Sequence, residues 1–189
     1  MDVSDLKGVF AEVKKRMDTQ LEHVRRELAG VRTGRASVNI LDAVHVDAYG
    51  SSMPVNQVAS LSVPEPTLIV AQPFDPTLLG AIEKAIRSAN LGLNPANAGK
   101  VVRIPLPALT EERRKEMSKL VHKYAEEGRN GVRSVRREAN DKLKKLLKDH
   151  KISEDDERKG LETVQKATDD HVKQIDELQK KKDAELLGH

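Results

Sequence analysis

The chain has no cysteine and no tryptophan, and its 189 residues include only four aromatic ones: Phe10, Tyr49, Phe74 and Tyr124. Without thiols there is no disulfide scaffold, thiolate zinc site, iron–sulfur cluster or cysteine nucleophile. So few rings argue against a large α/β core and against a stacking platform for single-stranded nucleic acid. Apolar runs last only a few residues, so no segment is expected to span a membrane. The amino-terminal MDVSDLKG lacks a basic stretch followed by an apolar one, so no secretory signal is expected there. The histidines at 23, 45, 122, 150, 171 and 189 show neither HExxH nor an i,i+4 pair, which argues against a metal site. No GxSxG, GxxxxGK[ST] or GxGxxG loop is present. The acidic pairs Asp155-Asp156 and Asp169-Asp170 read as helix-end and solvated charge. The expectation is a soluble, cytoplasmic protein that is not an enzyme and needs neither metal nor cofactor.

Proline is missing from both flanks, and all eight prolines fall between Pro54 and Pro107. Proline breaks helix interiors, so the flanks are free to form long helices and the middle is not. Charge follows the same division: residues 36–107 carry 9 of the 63 charged side chains. The formal net charge is only +3, but residues 108–152 alone hold 14 basic and 8 acidic groups. A single amphipathic helix at the start has no core of its own, so the flanks should form one unit. The expected organisation is a bundle from 1–31 and 108–189, an inserted domain over 36–104, and paired linkers at 32–35 and 105–107.

In the first flank, Val3, Leu6, Phe10, Val13, Met17, Leu21, Val24, Leu28 and Val31 recur at steps of three and four, the mark of one helical stripe. Gly30 and Gly34 mark its end. Thr110 should cap a second helix with a seam through Met117, Leu120, Tyr124, Val132, Val135, Ala139, Leu143 and Leu146. A break follows at His150-Lys151-Ile152, and Ser153 caps a third helix with Leu161, Val164, Thr168, His171, Ile175 and Leu178 on its seam. The short connection requires the third helix to run antiparallel to the second, giving a long three-helix bundle. His171 reads as a core or boundary residue rather than a ligand. In the middle, Val44, Val46 and Ala48 alternate with polar neighbours as in a half-buried strand. Further strands are expected at 61–63, 67–70 and 101–104, with a turn at Gly50-Ser51-Ser52 and a helix from Asp75 to Asn90. The fold class is therefore α+β, with one sheet and one helix in the inserted domain. Thr33 and Gly34 on one connection, with Pro105, Leu106 and Pro107 on the other, allow either a direction-limited hinge or a rigid elbow.

Residues 128–137 read GRNGVRSVRR, with four arginines and no acid. At 100° per residue, Arg129, Arg133 and Arg136 cluster within about 60°, and Arg137 extends the same face. The planar guanidinium fork grips a phosphate through two parallel hydrogen bonds, so this stripe points to RNA. Gly128 and Gly131 each weaken a helix interior by roughly 1 kcal/mol, and a break near residue 130 would scatter the stripe. A structural coiled coil that binds a partner helix through its seam is the competing reading; an RNA-modifying enzyme is a third.

The strings RTGRAS (32–37), LGLNP (91–95), RIPLPALTEERRKEM (103–117), VRSVRREAND (132–141) and KISEDD (151–156) occur together and in order. In these motifs and in length the chain resembles the bacterial ribosome recycling factor family. The resemblance implies a three-helix bundle carrying a β/α/β domain in an L shape. It implies a monomer that binds the post-termination ribosome along large-subunit rRNA, with the small domain reaching toward the small subunit. Elongation factor G with GTP then drives the subunits apart and the ribosome leaves the mRNA. The family's RNA-contacting arginines fall here on Arg32, Arg35, Arg129, Arg133 and Arg136, with Arg137 adjacent.

Overall fold

The computed structural model describes residues 1–187 as two compact units, one of Met1–Val31 with 112–187 and the other of Arg32–Glu111. In the first unit the apolar stripes of the flanks become three helices: α1 (Leu6–Ala29), α4 (Glu111–Lys148) and α5 (Glu154–Leu186). Asp5 caps α1 by accepting from the Gly8 N–H at 2.7 Å, and Gly30 closes it. The helix α4 ends in a Schellman turn: the Lys151 N–H reaches the Leu146 carbonyl and the His150 N–H that of Leu147, with His150 at φ 58°. Ser153 and Asp156 then form a reciprocal capping box at the start of α5, where four carboxylates occupy the first turn. The helix breaks and caps expected at 150–153 are therefore where the sequence puts them.

Side-chain pairs fix the helix directions. Along α4 against α1, Gly128 faces Val24, Gly131 faces Gln20 and Glu138 bonds Arg16, so the two run antiparallel. Along α4 against α5, Leu143 faces Gly160, Arg136 bonds Gln165 and Arg129 bonds Asp176, which is antiparallel again. Val9, Val13, Met17, Leu21, Val24 and Leu28 of α1 fill the core with Val121, Ala125, Val132, Val135, Ala139, Leu143 and Leu146 of α4 and Val164 and Ile175 of α5. In the first turns of α1 Val9 is fully buried, whereas Phe10, expected on the stripe, is half-buried.

A break in α4 near residue 130 is not found: the helix runs unbroken for 38 residues, about 57 Å at 1.5 Å per residue. The two glycines weaken the helix, but they allow close approach. A Cβ on Gly128 would lie 2.2 Å from the Val24 side chain, and one on Gly131 would lie 2.3 Å from that of Gln20. Packing between helices thus offsets their poor propensity.

The second unit departs from the expected single sheet. It has two antiparallel sheets: a hairpin of β1 (His45–Ala48) and β2 (Ser51–Pro54), and a four-stranded sheet in the order β3-β4-β6-β5. These strands span Ala59–Glu65 (β3), Leu68–Pro73 (β4), Ala96–Ala98 (β5) and Val101–Pro105 (β6). Ser51 and Ser52, expected in a turn, instead begin a strand through Pro54 that pairs with β1, and 96–98 form a strand that its Ala-Asn-Ala sequence does not advertise. A one-turn helix α2 (Val55–Val58) joins β2 to β3. Asp75 caps a 3-10 turn at 76–78, which leads into α3 (Leu79–Ser88). Val46, Ile69, Ile82, Ile86, Val102 and Ile104, each with no exposed surface, form the core between sheets and helix.

The β1–β2 turn is unusual in its residues. Tyr49 and Gly50 occupy its two central positions at φ 53° and 79°. Such a turn favours Asn-Gly, and a non-glycine residue there costs about 1 kcal/mol.

Candidate nucleic-acid interface

On α4 the arginines lie beside the buried seam, and their angle from it orders their burial. Taking Arg129 as zero, Arg136 lies about 20° toward Val132, while Arg133 and Arg137 lie about 40° and 80° away from it. The two nearest the seam reach α5 and the outer two face water.

Arg129 does not extend the exposed stripe, which corrects the expectation for this residue. Its side chain is 9% exposed. Its Nε donates to Glu126 at 3.0 Å, and its Nη1 donates to Asp176 at 2.7 Å and to Gln179 at 3.0 Å. The guanidinium is thus held within the bundle and ties α4 to α5. Glu126 lies just upstream of the acid-free run and Asp176 is on another helix, so neither shows within residues 128–137.

Arg136 is half-buried, with Nη1 donating to Gln165 at 3.1 Å and a buried Nε without a protein partner. Arg133 keeps 41% of its side chain exposed, with Nη1 3.8 Å from Glu126. Arg137 is exposed. The same angular arithmetic carried along the whole helix finds four cations that the 128–137 run omits. Lys119, Lys123, Lys144 and Lys148 fall within roughly 60–120° of Arg129, beside Arg133 and Arg137, and all four are exposed. Glu112, Glu126 and Asp141 are the acids on that strip. A straight helix therefore presents one cationic face along most of its length, the charge pattern that attracts a polyanion.

Arg32 and Arg35 belong to the other unit and are exposed there. Arg32 donates to the Leu91 carbonyl at 3.2 Å, and the Arg35 backbone N–H lies 3.5 Å from the Thr33 hydroxyl. Between them Gly34 takes φ 78°, and a Cβ there would lie 3.2 Å from Leu109. On the return connection, Pro105 pairs with Leu68 as the last residue of β6, and the Leu106 N–H donates to the Thr67 carbonyl at 2.8 Å. These two residues continue the β4–β6 pairing rather than leaving the sheet at residue 104, because β6 is longer than its Val-Val-Arg-Ile run.

His171 is 8% exposed, with Nδ1 2.7 Å from the Ala167 carbonyl and Nε2 2.8 Å from Asp18. It ties α5 to α1, in keeping with its reading as a core or boundary residue. The His171 hydrogen bond is the main reason that the Asp18 carboxyl sits below its ordinary range. Among the described residues no group of histidine and carboxylate side chains could hold a metal, and no helix is long and apolar enough to cross a membrane.

Comparison with known proteins supplies the frame for these faces. The profile of the ribosome recycling factor family matches residues 24–187. A ribosome-recycling factor of Rhodospirillum centenum is 53% identical over 174 residues, which is 92% of this chain and 94% of the relative. One of Bacillus licheniformis is 50% identical over 95% of this chain and 97% of its own. A solution structure of the ribosome recycling factor aligns with a TM-score of 0.76 at 42% identity, covering 99% of this chain and 100% of the other. A second neighbour, with a TM-score of 0.64 at 46% identity over 96% of this chain and 98% of its own, represents the Thermus thermophilus factor. It was placed together with Escherichia coli elongation factor G on the post-termination complex. A helical bundle with an α+β unit inserted in it is thus the fold of a class of translation factors. The chain belongs to the ribosome recycling factor family.

Proposed function

We propose that this protein recycles ribosomes after translation termination, binding the post-termination ribosome through rRNA and, with elongation factor G and GTP, promoting subunit dissociation and release from mRNA. The carrying observation is the unbroken α4 with exposed cations along one face, in a chain whose relative was placed on the post-termination complex with elongation factor G. Arg133, Arg136 and Arg137, joined by Lys119, Lys123, Lys144 and Lys148, supply contacts to RNA phosphates. Arg32 and Arg35 supply others from the inserted unit, which faces the small subunit. The protein acts in the cytoplasm as a monomer and performs no covalent chemistry. The bundle carries force that the GTPase supplies, and the packed seams of three helices resist bending. Thr33 and Gly34, with Pro107 on the return strand, form the hinge at which the inserted unit reorients, and Pro105 and Leu106 anchor that hinge to the sheet.

The competing adaptor reading needs a free seam. Val121, Ala125, Val132, Ala139 and Leu143 of α4 have no exposed surface because α1 and α5 already cover them. The deciding experiment adds the pure protein, elongation factor G and GTP to post-termination ribosomes and follows subunit splitting by light scattering. Splitting that needs all three components is expected; failure to split under conditions where a known factor succeeds overturns the proposal.

A further inference from the structure

Arg129 and Arg136 lie about two turns apart on the α5 side of α4, but they meet opposite chemistry. Arg129 bonds two carboxylates and is neutralised within the bundle. Arg136 makes no ion pair among the described residues; its Nη1 donates to the side-chain oxygen of Gln165 at 3.1 Å. One turn further along α4, Asn140 has a buried Oδ1 without a protein partner, and the Arg136 Nε is equally buried and unpartnered. Both neighbours are amides, which hold a guanidinium without cancelling its charge. The acids of α5 sharpen this contrast. Asp155, Glu162, Asp169, Asp176 and Asp183 recur at every seventh residue, on one side of the helix. From this row Asp176 bonds Arg129, and Asp183 lies 3.5 Å from the Ser118 hydroxyl, so the row borders α4. Asp169 does not bond Arg136. Its Oδ1 accepts instead from Gln165 Nε2 at 2.9 Å. That bond settles the amide: the nitrogen turns to Asp169 and the oxygen to the arginine.

We infer that Gln165, oriented by Asp169, is a positioning residue that steadies Arg136 for an RNA phosphate and leaves the arginine's charge uncancelled. A guanidinium already held in place loses less freedom on binding, and one without a carboxylate partner keeps its full attraction for phosphate. Gln165 acts through Arg136 and need not touch RNA itself. A carboxylate at position 165 would join the two helices equally well but would neutralise Arg136, as Asp176 and Glu126 neutralise Arg129. The inference rests on the proposed function, because it takes Arg136 as a phosphate contact; Arg136→Gln tests that premise separately.

The test measures binding of the full chain to bacterial 70S ribosomes at several salt concentrations, with thermal midpoints recorded alongside. Arg136→Gln should lower the slope of log affinity against log salt by about 0.7–0.9, the effect of one phosphate contact. Gln165→Glu should lower the slope by a similar amount and the affinity about three- to tenfold. Its thermal midpoint should be unchanged or higher, since an ion pair replaces a neutral hydrogen bond. A residue that served only to join α4 to α5 would show no such loss of binding. Gln165→Met keeps the charge of Arg136 but not the hold on it, so affinity should fall about two- to fivefold at an unchanged slope. Added to Arg136→Gln, neither change at Gln165 should weaken binding further. Gln165→Glu with the affinity and slope of the unsubstituted chain, or with the same loss whether or not Arg136 is present, would overturn the inference while leaving Arg136 on the RNA. If Arg136→Gln itself leaves the slope unchanged, the RNA contact proposed for Arg136 fails and the positioning role with it.

Discussion

Arg129 and Asp176 are joined at 2.7 Å across the α4–α5 interface, with the arginine side chain 9% exposed and the aspartate 57%. One charge is buried and its partner is wet. The pair therefore fixes helix register more than it adds net Coulomb energy, and its arginine is unavailable to an outside partner.

Replacing Arg129 by alanine should lower unfolding free energy by about 1–3 kcal/mol in urea, because Glu126 and Asp176 lose their shared donor. The salt dependence of ribosome binding should stay as it was. A stable variant with a shallower salt slope would instead place Arg129 on the RNA.

Arg133→Gln and Arg137→Gln should do the reverse. Each should reduce the slope of log affinity against log salt by about 0.7–0.9, the effect of one phosphate contact. Stability should change by no more than about 0.5 kcal/mol for such surface positions. Binding isotherms at several salt concentrations, beside circular dichroism, check both halves.

The two mid-helix glycines should part company. Gly128→Ala drives a methyl into Val24, a β-branched side chain packed in the core, and should cost about 1–3 kcal/mol. Gly131→Ala meets the far end of Gln20, which can swing aside. There the gain in helix propensity should win, stabilising by about 0.5–1 kcal/mol. Thermal or urea midpoints of the two variants decide it.

Acid should loosen the contact of α1 with α5. The Asp18 carboxyl is held below its ordinary value of 3.8, first by the His171 hydrogen bond and then by Lys14. A depressed folded value stabilises the protein above the unfolded value, and that stabilisation is lost as pH falls through the folded one. The stability gap between the natural protein and Asp18→Asn should therefore be full near neutrality and shrink below about pH 4. A gap that holds constant down to pH 3 would remove Asp18 from this role.

Where a single helix carries its own signal, the sequence is legible. The α1 stripe, the Ser153 cap and the break before it all follow from spacing and terminal residues, as do the β1 alternation and the Asp75 cap. The strands at 51–54 and 96–98 were not legible, since Ser-Ser-Met-Pro and Ala-Asn-Ala carry no β-branched signal and are held by their neighbours' ladders. On α4, the lysines flanking the arginine run could have been found by extending the same angular count. The partner of Arg129 on α5 could not, because 47 residues separate the two in the chain.

The sequence by itself determined the helices, their breaks, the family and the inserted α+β unit, because these follow from periodicity, proline placement and ordered motifs along one chain. Only the tertiary structure decided which arginines remain available, why Gly128 is tolerated, and that Gln165 bonds Arg136. Each of these depends on what a distant residue brings within a few ångströms, and packing, not sequence order, sets that distance.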